Sequence, residues 1–175
     1  MIKKKYYNWQ DVERMCVSIV NQMYKDGWRP DYIVGITRGG NVPATIISNM
    51  TGIRCEALKV ALRDGESHQE SNCWMAEDAF GYPNQDSGGQ GKNILIVDDI
   101  NDTGATFNWI KEDWQAGCLP GHEAWDHVWG NNVRFSVLTE NLSSEFDGVT
   151  YSCDEVNKVE EDVWLVYPWE NVGEY

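Results

Sequence analysis

Residues Ile94-Leu95-Ile96-Val97-Asp98-Asp99-Ile100-Asn101-Asp102-Thr103-Gly104-Ala105-Thr106 decide the fold. Four apolar, β-favouring residues lead into two adjacent aspartates, then into a short hydroxyl-rich loop with one glycine. The apolar run reads as a strand over 94–98 buried on both faces, the pattern of a parallel sheet. The segment from Phe107 to Trp114 continues as a helix, expected over 105–116. The loop therefore stands at the carboxyl end of a sheet strand, where α/β folds bind ligands.

The chemistry of that loop narrows the ligand. Backbone N–H groups of Thr103, Gly104, Ala105 and Thr106 lie at a helix N-terminus, where unpaired donors and the helix dipole favour an anion. Gly104 permits a tight turn and close backbone approach, and the Thr103 and Thr106 hydroxyls add donors without charge. Asp98 and Asp99 repel a phosphate, but they can accept from vicinal sugar hydroxyls or hold a divalent cation through oxygen. A site that wants both a phosphate and a diol or a metal points to a ribose phosphate.

Working outward, Tyr32–Thr37 is a second strand candidate, and it ends in Arg38-Gly39-Gly40-Asn41-Val42-Pro43. The glycine pair allows a sharp turn that aims N–H groups at an anion, and Arg38 adds a charge-assisted donor. A helix over 42–51 follows, with Pro43 near its start and Gly52 as its stop. The other expected elements are a helix from Trp9 to Lys25, strands at 54–62 and 133–139, and a final strand pair near 149–152 and 163–167. In the first helix Val12, Met15, Ile19, Val20 and Met23 form one apolar face, Asn8 is the cap and Gly27 the stop. Strands alternating with helices argue a single α/β domain over 1–175. Lys3-Lys4-Lys5 reads as a solvated end.

The remaining features mostly exclude. A net charge of −14 disfavours a nucleic-acid-binding surface. No apolar run approaches membrane-spanning length, and no secretory signal precedes the first helix. Five cysteines, widely spaced and without a CxxC pair, argue against a disulfide framework or zinc site and for reduced thiols in a cytoplasm. His122 and His127 read as satisfied loop histidines. Gly88-Gly89-Gln90-Gly91-Lys92-Asn93 is no nucleotide-triphosphate loop, because Asp86 and Asn93 stand where that pattern needs Gly and Ser or Thr.

Residues 94–106 resemble the phosphoribosyl-pyrophosphate (PRPP) signature of the type I phosphoribosyltransferases, at the apolar run, both acids and Asp102-Thr103-Gly104-x-Thr106. The stretch from Thr37 to about Leu62 is similar to the xanthine-guanine branch. The third similarity is Glu161–Glu170, with Trp164 and Leu165 at the family's purine-holding positions. The resemblance implies an α/β phosphoribosyltransferase-like fold: a parallel sheet flanked by helices, with a small hood from loop and C-terminal segments at 140–175. It implies transfer of ribose 5-phosphate from PRPP to a purine-type base, releasing pyrophosphate, with Mg²⁺ as cofactor and a dimer or tetramer as the assembly. Arg38, Gly39 and residues Asp98, Asp99, Ile100, Asn101, Asp102, Thr103, Gly104, Ala105 and Thr106 would bind PRPP. Asp99 would be the metal ligand and Asp98 nearer the sugar. Asp102 would be the general base, and Trp164, Leu165 and Val166 would join it in holding the purine.

Three places depart from the family. The long Gly/Ser/Asn-rich segment 63–92 takes the place of a mobile active-site loop, a lid that would exclude water, but it lacks the family's Ser-Tyr pair. The lysine that reads the purine's six-position oxygen is missing: strand 133–139 runs into Thr139-Glu140-Asn141, and Lys158 is the only lysine beyond Lys111. The insertion Cys118–Asn132 has no counterpart. Two other readings stay open at this stage: a non-catalytic PRPP-binding regulator, and a type I transferase for another ring such as orotate.

Overall fold

The computed structural model describes residues 2–60, 73–81 and 91–170. In chain order they form β1 (Lys3–Tyr6), α1 (Trp9–Lys25), β2 (Tyr32–Thr37), α2 (Asn41–Thr51), β3 (Cys55–Lys59), α3 (Cys73–Phe80) and β4 (Ile94–Asn101). There follow α4 (Ala105–Gly117), a 3₁₀ turn at Glu123–His127, β5 (Val133–Asn141), β6 (Val149–Tyr151), β7 (Asp154–Val156) and β8 (Val163–Val166).

The main sheet runs β3-β2-β4-β5-β6, with β7 also on β5. Its pairings are parallel throughout. Parallel strands need crossovers, and those crossovers cover both faces. Alternation along each strand divides the core accordingly. Tyr32, Val34, Ile36, Ile94 and Ile96 pack with α3 and α4, as Met75, Ala79, Phe107 and Trp114 show. Ile33, Leu95 and Val97 point the other way, onto α1 and α2 through Met15, Ile19, Ala44 and Ile47.

Local chemistry sets the helix ends. Asn8 and Asp11 form a reciprocal capping box, the Asn8 side-chain Oδ1 accepting from Asp11 N at 2.8 Å and the Asp11 carboxylate from Asn8 N at 2.9 Å. Gly52 closes α2 in the left-handed region, with φ +73.

From β2 the chain crosses to β3 on one side, and from β4 it crosses to β5 on the other. The strand order therefore reverses between β2 and β4, which are hydrogen-bonded neighbours. The carboxyl ends of these two strands flank the crevice where doubly wound sheets take ligands.

Several expectations are corrected. Lys3-Lys4-Lys5 is solvated as expected, but it is also a strand: β1 pairs in parallel with β8, in register Lys3↔Val163 through Tyr6↔Val166, as a separate two-stranded sheet. Its side chains are exposed, so no apolar alternation announced the strand. The strands near 149–152 and 163–167 do not pair with each other, because β6 joins β5 and β8 joins β1. β4 continues to Asn101, past the expected end at 98. Within 63–92, residues 73–80 form α3, which buries Met75, Ala76 and Ala79. The remainder of that proposed loop lies outside the described residues, except for residues 81, 91 and 92.

Candidate active site

Three segments converge at the crevice. β4 delivers Asp98 and Asp99, the following turn carries Asp102 to Gly104 into α4, and the turn after β2 brings Gly39 against them. The contact between the loops is close. A Cβ on Gly39 would overlap the Asp99 carboxylate, its Cγ at 2.6 Å, and one on Gly40 would collide with Val97 O and lie 2.7 Å from Ile36 N. Only glycine lets the arginine loop pass this near the acidic pair. The Thr37–Arg38 peptide is cis. Arg38 is exposed and free to reach an anion at the crevice mouth.

Asp98 and Asp99 are half-buried at the edge of the crevice. Loss of hydration and then the charge of Asp99 hold the Asp98 carboxyl well above the usual carboxylate range. Loss of hydration also raises Asp99, against hydrogen bonds that favour its charged form. Asp98 Oδ1 accepts from Asp99 N at 2.9 Å and Asp99 Oδ1 from Ile100 N at 2.8 Å. Among the described residues no lysine or arginine pairs with either acid.

A raised acid in the folded state binds protons that the unfolded chain has released. The unliganded protein therefore loses stability as pH rises from about 4, the free aspartate value, through the raised value of Asp98. Asp98→Asn is expected to flatten that slope and to raise the melting temperature of the unliganded protein at pH 8. A melting curve unchanged from pH 5 to pH 8 in both forms would contradict this.

The turn is held from beneath. The Asn101 side chain points inward at 2% exposure, donating to Glu140 Oε1 at 2.7 Å and Phe146 O at 2.8 Å, while Ser144 Oγ donates to its oxygen at 2.9 Å. Glu145 N donates to Thr103 O at 3.0 Å. Asn101 is thus a strut rather than a ligand-facing side chain. Gly104 caps α4 with φ +91, and Ala105 N donates to Thr103 Oγ1 at 3.3 Å. Residues Asp98 to Phe107 line a cleft of about 230 Å³.

A second cleft, of about 520 Å³, begins where the first ends. Asp102 and Thr103 line both, and Asn141, Ser143, Glu145 and Lys158 line the second. The C-terminal segment closes over this end of the sheet. Tyr167 OH donates to Asp99 O at 3.0 Å and shares a hydrogen bond of 2.8 Å with Thr139 Oγ1. Its ring stacks between Tyr7 and Trp169, at centroid distances of 5.0 and 4.9 Å. This buttress is absent from the expected site, because it joins residues near opposite ends of the chain.

Of the expected base-holding residues, Trp164 is 57% exposed on the outer face of β8. Val166 shares that face by alternation, and Leu165 turns inward at 7% exposure. Leu165 can therefore offer a ligand only its backbone. His122 caps the 3₁₀ turn, its Nδ1 accepting from Ala124 N at 3.0 Å.

The phosphoribosyl transferase domain model matches residues 3–115. The chain belongs to this family. Over 176 residues it is 26% identical to the xanthine-guanine phosphoribosyltransferase of Cereibacter sphaeroides, covering 97% of this chain and 89% of that one. It is 23% identical to the hypoxanthine-guanine phosphoribosyltransferase of Schizosaccharomyces pombe, over 94% and 88% of the two chains. The same fold recurs in the purine phosphoribosyltransferase of Pyrococcus horikoshii, with TM-score 0.65, 21% identity and coverage of 98% and 97%. It recurs also in a hypothetical protein from Neisseria gonorrhoeae with bound ppGpp, with TM-score 0.67, 20% identity and coverage of 98% and 92%. The acidic pair and the arginine loop of this phosphoribosyltransferase lie inside the matched span. Lys158 and Trp164 lie beyond it.

Magnesium is the cofactor the family implies, and the acidic pair suits it. Two adjacent half-buried carboxylates, one of which raises the proton affinity of the other, are hard oxygen donors in need of positive charge. No cluster of three or more His, Cys, Asp or Glu residues with metal-binding geometry occurs among the described residues.

Proposed function

We propose that this enzyme transfers the ribose 5-phosphate group of PRPP to a purine base, yielding a purine nucleoside monophosphate and pyrophosphate. The observation that carries the reading is the place of Asp102. It lies where the phosphate-binding cleft opens into the second cleft, the position at which ribose meets base. The purine names of the curated relatives support the acceptor class. The coordinates support the donor end through the acidic pair, the amide-lined turn and the arginine loop beside it.

In this reading the 5-phosphate sits on the backbone N–H groups of Thr103 to Thr106 at the start of α4. Asp98 and Asp99 face the ribose hydroxyls and the developing positive charge at the anomeric carbon. Arg38 and the amides around Gly39 hold the pyrophosphate. Magnesium, when bound through Asp99 and the substrate's oxygens, would neutralise charge on the leaving pyrophosphate. The purine N9 lone pair forms the new bond to the anomeric carbon, and the carbon–oxygen bond breaks with its electron pair going to pyrophosphate. The proton on N7 passes to Asp102. Little covalent chemistry falls to the protein, and positioning with electrostatics carries the rate.

The segment 140–175, described as far as residue 170, serves as a hood over the base; of the segment 63–92, α3 packs in the core, and the rest of that expected loop, apart from residues 81, 91 and 92, lies outside the described residues. The assembly is a dimer or tetramer working in the cytoplasm. No helix among the described residues is long and apolar enough to cross a membrane.

The test is pyrophosphate release with magnesium, PRPP and a panel of bases including hypoxanthine, guanine, xanthine, adenine and orotate. Turnover with at least one purine is expected. Binding of PRPP without turnover of any base overturns the transfer. Trp164→Ala is expected to raise the KM for the base about 10- to 100-fold, the cost of about 1–3 kcal/mol for a lost stacking surface, with the KM for PRPP unchanged.

A further inference from the structure

Asn141 ends β5 and is 5% exposed, beneath the turn that leads into α4. Its amide nitrogen donates to Asp102 O at 2.7 Å. Its oxygen accepts from Lys158 N at 3.1 Å, from Ser143 N at 3.3 Å and from Ser143 Oγ at 2.9 Å. The backbone N–H groups of Lys158 and Ser143 can only donate, so they fix which end of the carboxamide meets which partner. The donor end is left for the turn.

We infer that Asn141 is a positioning residue for the donor substrate: by holding Asp102 O it aims the Thr103 N–H into the cleft lined by Asp98 to Phe107, to meet the 5-phosphate of PRPP. The inference rests on the PRPP reading above. In a trans peptide the C=O and the N–H of the next residue share a plane and point opposite ways. Thr37–Arg38 is the only cis peptide among the described residues, so a carbonyl drawn towards Asn141 turns the Thr103 N–H to the other side. The next peptide repeats the arrangement. Thr103 O is held by Glu145 N at 3.0 Å, and the Gly104 N–H points away from it. Among the described residues neither N–H donates to a protein acceptor, and Thr103 and Gly104 both line the cleft. Successive amides aimed one way make a concavity for an anion. A peptide plane left unheld can rotate and carry its N–H out of the cleft.

The end of β5 is given over to this support. Glu140 stands in the strand-end segment where the family's lysine is missing, and its Oε1 accepts from Asn101 Nδ2 at 2.7 Å. Asn101 in turn holds Phe146 O and Ser144 Oγ, at 2.8 and 2.9 Å, and with them the connection that carries Glu145. Two adjacent residues of one strand thereby fix two adjacent peptides of the turn, Asn141 directly and Glu140 through Asn101.

Calorimetric binding of ribose 5-phosphate, PRPP and pyrophosphate, each with magnesium, to wild type, Asn141→Asp and Asn141→Leu tests this. Asn141→Asp at about pH 8 keeps the acceptor for Lys158 N and Ser143 but turns a lone pair on Asp102 O. Asn141→Leu removes donor and acceptor without adding charge. Both should weaken ribose 5-phosphate and PRPP about 10- to 100-fold, the effect of losing a hydrogen bond to a charged group. Pyrophosphate, held by the arginine loop, should bind both variants as it binds wild type. In wild type the Thr103 and Gly104 amide protons should move downfield in NMR spectra as ribose 5-phosphate binds, and the Thr103 shift should shrink in Asn141→Asp.

A residue that merely supports the fold would weaken all three ligands alike, and one without hold on the turn would weaken none. Either result overturns the inference. If neither variant folds, the wild-type spectra decide: ribose 5-phosphate bound without a shift of the Thr103 amide overturns it. A wild type that binds neither PRPP nor ribose 5-phosphate overturns the PRPP reading itself.

Discussion

Asp102→Asn is expected to lower kcat about 10²- to 10⁴-fold, the range supplied by a positioned general base, while PRPP binding stays close to that of wild type. The side chain lines both clefts and meets no anchor other than the Lys158 ammonium among the described residues. An amide keeps the shape and one acceptor oxygen but cannot take a proton. The turn itself is held through Asp102 O and Thr103 O, by Asn141 and Glu145, and these are backbone contacts the substitution leaves in place. The lost ion pair is half-exposed and contributes little to stability. Initial rates of pyrophosphate release, set beside calorimetric binding of PRPP, separate the two effects. A kcat within threefold of wild type would remove Asp102 from the chemistry.

Gly104→Ala is expected to destabilise the fold by about 2–4 kcal/mol, combining strain at a positive φ with a steric clash. The backbone there has φ +91, and the added methyl would sit 2.5 Å from Phe146 N and 2.9 Å from Ser144 Oγ. Neither neighbour can retreat cheaply. Ser144 Oγ is bonded to Asn101 and to Phe146 N, and the Phe146 ring packs on Phe107 and Phe135 at 5.3 and 4.9 Å. For a chain of this length the melting temperature should fall by about 5–15 °C. The turn should also open at the phosphate end, so the KM for PRPP should rise more than the KM for the base. A melting temperature within 2 °C of wild type would show that the Ser144–Phe146 segment yields, contrary to the packing described.

Much of this was legible in the residues. Buried parallel strands carry unbroken apolar runs, so Tyr32–Thr37 and Ile94–Val97 announced themselves, as did the amphipathic stripe and capping box of α1. The proposed phosphate end of the site is local chemistry: Asp98 to Thr106 is one continuous stretch whose donors, acids and glycine are adjacent in the chain. That is why a ribose phosphate could be expected there from the residues alone. The two-stranded sheet of β1 and β8 left no such trace, because Lys3 to Tyr6 are exposed and their pairing is made by backbone groups that every sequence shares. α3 was hidden in a polar stretch, where Met75, Ala76 and Ala79 are too few to mark a period.

The residues by themselves determined strands β2, β4 and β5, helices α1, α2 and α4, the acidic pair and the glycine turns beside it. Each depends on neighbours within one strand–turn–helix unit. Tertiary structure alone decided that Gly39 abuts Asp99, that Tyr167 braces the back of the acidic strand, that Leu165 faces inward, and that Lys158 stands at Asp102. Those contacts join segments far apart in the chain, and they are made by sheet order and by buried polar side chains such as Asn101 and Asn141. The reason is one of range. A helix cap or a phosphate turn is closed by residues a few positions apart, whereas a base pocket is closed only when the C-terminal chain returns over the ends of β4 and β5.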